Sequence, residues 1–142
     1  MHKLDSVIYT GTATATGGRD GSAESSDGRL KTDLSVPKAL GGDDGAGTNP
    51  EQLFAAGYSA CFIGALRHVA GAQKIKLEDN ISVKGDVAIG PIEKGFAIAV
   101  TLTVDLGDMP KADAQKLVEQ AHEVCPYSNA TRGNIEVELT LA

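Results

Sequence analysis

The chain has 142 residues, is 42% hydrophobic but only 4% aromatic, and has no Trp, which bounds it to one domain with a core of aliphatic and small side chains. A formal net charge of −6 and a pI near 4.9 argue against nucleic acid or an anionic membrane as the main partner. Two cysteines are too few for a disulfide scaffold. In a reducing compartment such a pair is more often catalytic or redox-active than structural. The start, Met1-His2-Lys3-Leu4-Asp5-Ser6, lacks the apolar run of a signal peptide, so a soluble cytoplasmic protein is expected.

Ile8 to Thr16 alternates Thr with small or apolar residues, which predicts a strand with one polar face. It closes in the glycine-rich turn Gly17-Gly18-Arg19-Asp20-Gly21. Ser22 to Ser26 reads as a short polar strand, and Asp27-Gly28 is a hairpin signal. Leu30 to Val36 returns as a third strand, ended by Pro37. The loop Gly41 to Gly47 has no following Lys-Ser/Thr, so it is not a phosphate loop.

A long helix follows. Asn49 is its N-cap, Pro50 takes the first helical position, Gln52 completes a capping-box spacing, and Gly71 suits the C-cap. No charged residue lies between Leu53 and Leu66, and apolar or small residues point in every direction, which predicts a buried helix. The uncharged run is too short to span a bilayer, and Arg67 and His68 follow it.

Ile81 to Ile89 and Phe96 to Leu106 alternate around the turn Glu93-Lys94-Gly95. Pro110 starts a second helix through Val124, with Ala114, Leu117, Val118, Ala121 and Cys125 on one stripe; Pro126 stops it. Ile135 to Leu141 is a last alternating strand. The order βββ-α-ββ-α-β, built from hairpins, predicts an α+β fold with mainly antiparallel sheets in a single domain over residues 1–142. One sheet and one further helix leave part of the central helix uncovered, which predicts a second copy of the chain as cover.

Cys61 lies mid-helix, where a free Cys is as often a small buried hydrophobe as a reactive group. Cys125 lies on the inward stripe of the second helix, where a core reading is also available. Both on inward faces, they are candidates to meet and to form a transient disulfide. A buried thiol is a poor nucleophile unless a cation lies nearby. Arg67 and His68 are six and seven residues along the helix from Cys61, about 9 and 10 Å, and neither touches it easily. His122 is one turn from Cys125 and is in reach of that thiol, although an exposed or satisfied helix histidine is the commoner case. Arg19 reads either as an exposed loop arginine or as a cation reaching in. Glu51, in the first helical turn, suits the helix dipole and is also able to hold an arginine by a bidentate contact. The histidines and cysteines have no metal-ligand spacing, and no Cys-X-X-Cys or nucleophile-elbow serine is present.

The stretches Thr48-Asn49-Pro50-Glu51-Gln52-Leu53-Phe54-Ala55-Ala56-Gly57-Tyr58-Ser59-Ala60-Cys61-Phe62 and Val124-Cys125-Pro126-Tyr127-Ser128-Asn129-Ala130-Thr131-Arg132-Gly133-Asn134 resemble the organic hydroperoxide resistance (Ohr) proteins of the OsmC/Ohr family. Ala13 to Gly21 resembles that family's N-terminal signature. The resemblance implies an OsmC-like α+β fold, with sheets wrapped around central helices in an intertwined homodimer whose active sites lie at the subunit interface. It implies a peroxidase that reduces alkyl and fatty-acid hydroperoxides in oxidative-stress defence. Cys61 would be the peroxidatic cysteine, Cys125 the resolving one, Arg19 the stabiliser of thiolate and peroxide, and Glu51 the acid that orients Arg19. It implies no bound cofactor, and a dihydrolipoyl group of lipoylated proteins as reductant. The alternatives are a non-catalytic cysteine redox sensor and a cysteine-dependent acyl hydrolase. Glu51 and Cys61 are ten residues apart, about 15 Å along one straight helix, so Glu51 would serve the cysteine of the other subunit.

Overall fold

The computed structural model describes residues 1–142, which form two compact units, Met1–Pro50 and Glu51–Ala142. The first unit carries an antiparallel sheet of three short strands, β1 (Ala13–Thr16), β2 (Ser22–Ser25) and β3 (Lys31–Asp33), in that order. The Asp27-Gly28 turn joins β2 to β3 as the sequence predicts. The Asp27 carboxylate accepts the Ser25 hydroxyl proton (2.7 Å) and the Arg29 N–H (3.0 Å), closing the turn by side-chain bonds. The first strand is shorter than its Thr alternation predicts. Ala13–Thr16 pair with Ser22–Ser25, and one further bond, from the Ser26 N–H to the Thr12 carbonyl at 3.0 Å, ends the ladder before the Asp27-Gly28 turn. The side chains of Val7, Ile8 and Tyr9 are 68%, 97% and 81% exposed.

The second unit opens with α1 (Pro50–Ala72), a 23-residue helix whose start matches the Asn49-Pro50 signal. The hairpin β4 (Ser82–Ile92) and β5 (Gly95–Asp105) follows, then α2 (Lys111–Val124), α3 (Pro126–Thr131) and β6 (Val137–Leu141). β4 and β5 pair antiparallel, with Val83 opposite Val104, Gly85 opposite Leu102 and Val87 opposite Val100. β6 runs parallel to β5 on its other edge, so this sheet is mixed. The helices between β5 and β6 return the chain to the starting end of the sheet, which makes a parallel pairing possible.

Tyr58, Phe62, Ala65, Leu66, Val69 and Ala70 form the buried face of α1 and pack with Val100, Leu102 and Val104 of β5 and Leu117, Val118 and Ala121 of α2. Full burial of each large apolar side chain contributes about 1.5–3 kcal/mol. Gly85 lets α1 lie close over β4, since a Cβ there would stand 2.7 Å from the Ser59 hydroxyl and 3.1 Å from the Ala55 carbonyl. The helix is not buried all round within one protomer. Ala56, Ala60, Gly64, Arg67 and His68 are exposed, because the sheet and α2 cover one side only. By length and composition α1 would also suffice to cross a membrane. Its buried face and the two cationic-type side chains near its end instead serve as those of a core helix. At the far end of the hairpin, Ile92 and Phe96 are 56% and 75% exposed.

Candidate active site

Cys61 lies on α1 at the border of the buried and exposed faces, half-buried. Cys125 is fully buried and sits in the bend between α2 and α3, with extended backbone (φ −65°, ψ 124°). Pro126 removes the N–H that would continue α2 and starts α3 instead. The sequence reading stopped at Pro126 and missed α3. The pattern of an extended residue, Pro and a helix-compatible stretch was its signal.

The two thiols meet. Cys125 is close enough to Cys61 to shift its titration, and both are free cysteines. Burial raises the Cys61 thiol above its ordinary value, and the neighbouring Cys125 raises it further. The Tyr127 N–H, donated to Cys61, acts in the opposite direction. A cavity of about 430 Å³ opens on Cys61, lined also by Gly64, Ala65, His68, Val124 and Pro126. His68 thus shares a cavity with Cys61 despite lying two turns on. Arg67 turns away and donates to the Glu78 carbonyl oxygen at 3.2 Å.

Around the thiols stands a polar and aromatic wall, of which the sequence reading singled out only His122. The Tyr58 hydroxyl lies 2.8 Å from the Ser128 hydroxyl and 3.2 Å from that of Thr131. His122 Nδ1 lies 2.8 Å from the Ser128 hydroxyl, so His122 is a satisfied histidine. Burial lowers its pKa, the Arg132 guanidinium lowers it further, and Glu123 partly offsets both. The Tyr127 ring packs on Phe54 at 5.8 Å and on Tyr58 at 5.5 Å. Gly57 makes this approach possible: a Cβ there would stand 2.8 Å from the Tyr127 hydroxyl. Tyr58, Tyr127, Ser128 and Thr131 all fall inside the two long sequence stretches that carry the resemblance.

Arg19 belongs to the first unit. It is half-buried on a tight 3-10 turn, Gly18–Asp20, closed by the Gly21 N–H to the Gly18 carbonyl at 3.2 Å. Gly21 is required there, since a Cβ would lie 1.8 Å from the Thr16 carbonyl oxygen. Glu51 is half-buried in the first turn of α1. That helix runs unbroken over 23 residues, so Glu51 stays about 15 Å along its axis from Cys61 of the same chain. No group of three or more His, Cys, Asp or Glu side chains is arranged to hold a metal.

Residues 41–140 match the family of OsmC-like proteins. The organic hydroperoxide resistance protein of Xanthomonas axonopodis pv. citri is 59% identical over 142 residues, covering 100% of each chain. Among solved structures, OhrB of Bacillus subtilis superposes with a TM-score of 0.86 at 48% identity, over 96% of this chain and 100% of its own. An organic hydroperoxide resistance protein from Legionella pneumophila gives 0.90 at 51% identity, over 96% and 99%. Sequence, fold and the thiol-bearing stretches agree: the chain belongs to the OsmC/Ohr family, on its organic hydroperoxide resistance branch.

Proposed function

We propose that this chain is a thiol peroxidase that reduces organic hydroperoxides to alcohols in defence against oxidative stress. The observation that carries this reading is the neighbouring pair of free cysteines Cys61 and Cys125, with a cavity opening on Cys61. The names of its relatives support the same class of substrate. The Cys61 thiolate attacks the outer peroxide oxygen; the O–O bond breaks, the alkoxide takes a proton and leaves as alcohol, and Cys61 becomes a sulfenic acid. Cys125 then attacks the sulfenic sulfur, the S–O bond breaks, and water leaves with the Cys125 proton. A dihydrolipoyl dithiol of a lipoylated protein reopens the disulfide by exchange and is itself oxidised to the cyclic disulfide.

The surroundings of Cys61 within its own unit raise its pKa, so the thiolate needs positive charge from elsewhere. Arg19 supplies it and also stabilises the developing alkoxide, and Glu51 orients Arg19. Because Glu51 cannot reach Cys61 along its own helix, the site is completed by a second copy of the chain. The exposed small residues Ala56, Ala60 and Gly64 of α1, and exposed Ile92 and Phe96, are apolar surface for such a homodimer. Both compact units then act as one OsmC/Ohr-like domain over 1–142, in the cytoplasm, with no bound cofactor.

Turnover tests the reading. With cumene or fatty-acid hydroperoxide, dihydrolipoamide should sustain steady consumption and glutathione should not. A single stoichiometric reaction would point instead to a sensor. Inertness toward peroxide combined with ester hydrolysis would make the cavity shared by Cys61 and His68 that of a hydrolase.

A further inference from the structure

Two fully or nearly buried polar side chains, Ser128 at 0% and Thr131 at 5% exposure, stand on α3 beside the Cys125 bend. Their bonds form a chain with one direction. The Thr131 hydroxyl donates its single proton to the Tyr127 carbonyl at 2.9 Å, so it accepts from Tyr58. Tyr58 therefore accepts from Ser128, and Ser128 accepts from His122 Nδ1–H. Every hydroxyl in the chain donates and accepts, and no buried side-chain polar atom is left unpaired. The chain links α2 through His122, α3 through Ser128 and Thr131, and α1 through Tyr58. Arg132 closes the outer side by donating to the His122 carbonyl at 2.8 Å and to the Asn129 side chain.

The Cys125 bend lies between these anchors. Cys125 itself is extended, held by its N–H on the Ala121 carbonyl and by its carbonyl on the Asn129 N–H, both at 2.9 Å. A disulfide tolerates only a narrow range of geometry, with Cα atoms about 4.4–6.8 Å apart and a fixed dihedral. Tyr58 stands one helical turn before Cys61 on α1, so the chain ties the bend to the helix that carries the other thiol.

We infer that Tyr58, Ser128, Thr131 and His122 are positioning residues for Cys125, holding its bend against α1 so that disulfide closure is fast. This rests on the thiol-peroxidase reading above and assigns the network to its second step. In that step the Cys125–Cys61 S–S bond forms, the S–O bond breaks and water departs. A displacement of about 1 Å at the bend is enough to cost up to about a hundredfold in closure rate. Peroxide attack on Cys61 does not need the bend in place and is affected much less.

Single-turnover rapid quench with cumene hydroperoxide on the full-length protein separates the steps, with a 1,3-dione trapping sulfenic acid and mass spectrometry counting disulfide. Tyr58→Phe and the near-isosteric Thr131→Val should each slow closure at least about tenfold, with accumulation of trapped sulfenic acid and attack changed far less. Thr131→Ser keeps the hydroxyl and should recover closure. Unchanged closure in both variants, equal slowing of attack and closure, or a Thr131→Ser variant as slow as Thr131→Val would each overturn the assignment. If Tyr58→Phe fails to fold, the Thr131 pair decides alone. Wild-type protein that consumes no peroxide refutes the peroxidase reading itself, which is a different result from a wild type that closes its disulfide no faster than the variants.

Discussion

Gly57→Ala sets two opposed effects against each other on the central helix. Alanine in a helix interior is favoured over glycine by about 1 kcal/mol. At this position the new methyl would stand 2.8 Å from the Tyr127 hydroxyl oxygen and 3.3 Å from its Cζ. Ordinary carbon contacts lie near 3.5–4.0 Å, so the ring must retreat by about half an ångström. It has little room, being packed against Phe54 at 5.8 Å and Tyr58 at 5.5 Å between ring centroids. Overpacking of this kind costs about 1–3 kcal/mol. The clash wins, and Gly57→Ala is expected to lie between neutral and about 2 kcal/mol less stable than wild type. In a Tyr127→Phe background the nearest atom is gone, and the same substitution should become neutral or stabilising, with a coupling of about 1 kcal/mol or more. Urea unfolding of the four proteins at one concentration measures the cycle. Gly57→Ala more stable than wild type by the full propensity difference, with no coupling to Tyr127, would refute the claim that this glycine is fixed by the tyrosine.

Gly21→Ala would place a methyl 1.8 Å from the Thr16 carbonyl oxygen, so the turn that carries Arg19 must open. Peroxidase turnover should fall at least about tenfold, as for loss of a preorganised charge; wild-type turnover would release Arg19 from its role. Arg19→Ala should move the Cys61 thiolate titration upward, read by absorbance at the thiolate band, and an unchanged titration removes Arg19 from the site. His122 has a folded-state pKa below its ordinary value of about 6.5, so the unfolded chain binds more protons in the window between the two. Its contribution to stability is whole above that window and is lost as pH falls through it. His122→Gln should flatten the fall in urea midpoint between neutral and mildly acidic pH, and an equally steep fall in the variant refutes the assignment.

The most legible part of the molecule was the central helix. Asn49-Pro50 marked its start, because capping chemistry is local. Gly71 did not mark its end: it lies inside the helix, which runs to Ala72, and the left-handed residue that closes it is Lys74 (φ 57°), held by its N–H on the Gly71 carbonyl at 3.1 Å. The inward stripe of α2 was equally plain, and it placed Cys125 facing the core where it meets Cys61. Less was visible where structure depends on distant partners. The parallel direction of β6 is a property of how helices return the chain, and alternation in Ile135 to Leu141 carries no sign of it. The Thr alternation from Ile8 promised more strand than the short partner β2 could pair. The helix α3 was hidden because Pro126 both ends one helix and starts the next. Tyr58, Ser128 and Thr131 look like scattered polar residues in sequence, and only packing brings their hydroxyls within 3.2 Å.

The central claim is that Cys61 and Cys125 form a redox couple driven by organic hydroperoxide. Reduced wild-type protein treated with one equivalent of cumene hydroperoxide and mapped without reduction should yield a single peptide pair joined through Cys61 and Cys125 of the same chain. Cys125→Ser should instead leave a trappable sulfenic acid on Cys61. Peroxide consumed while both cysteines remain thiols would contradict the account.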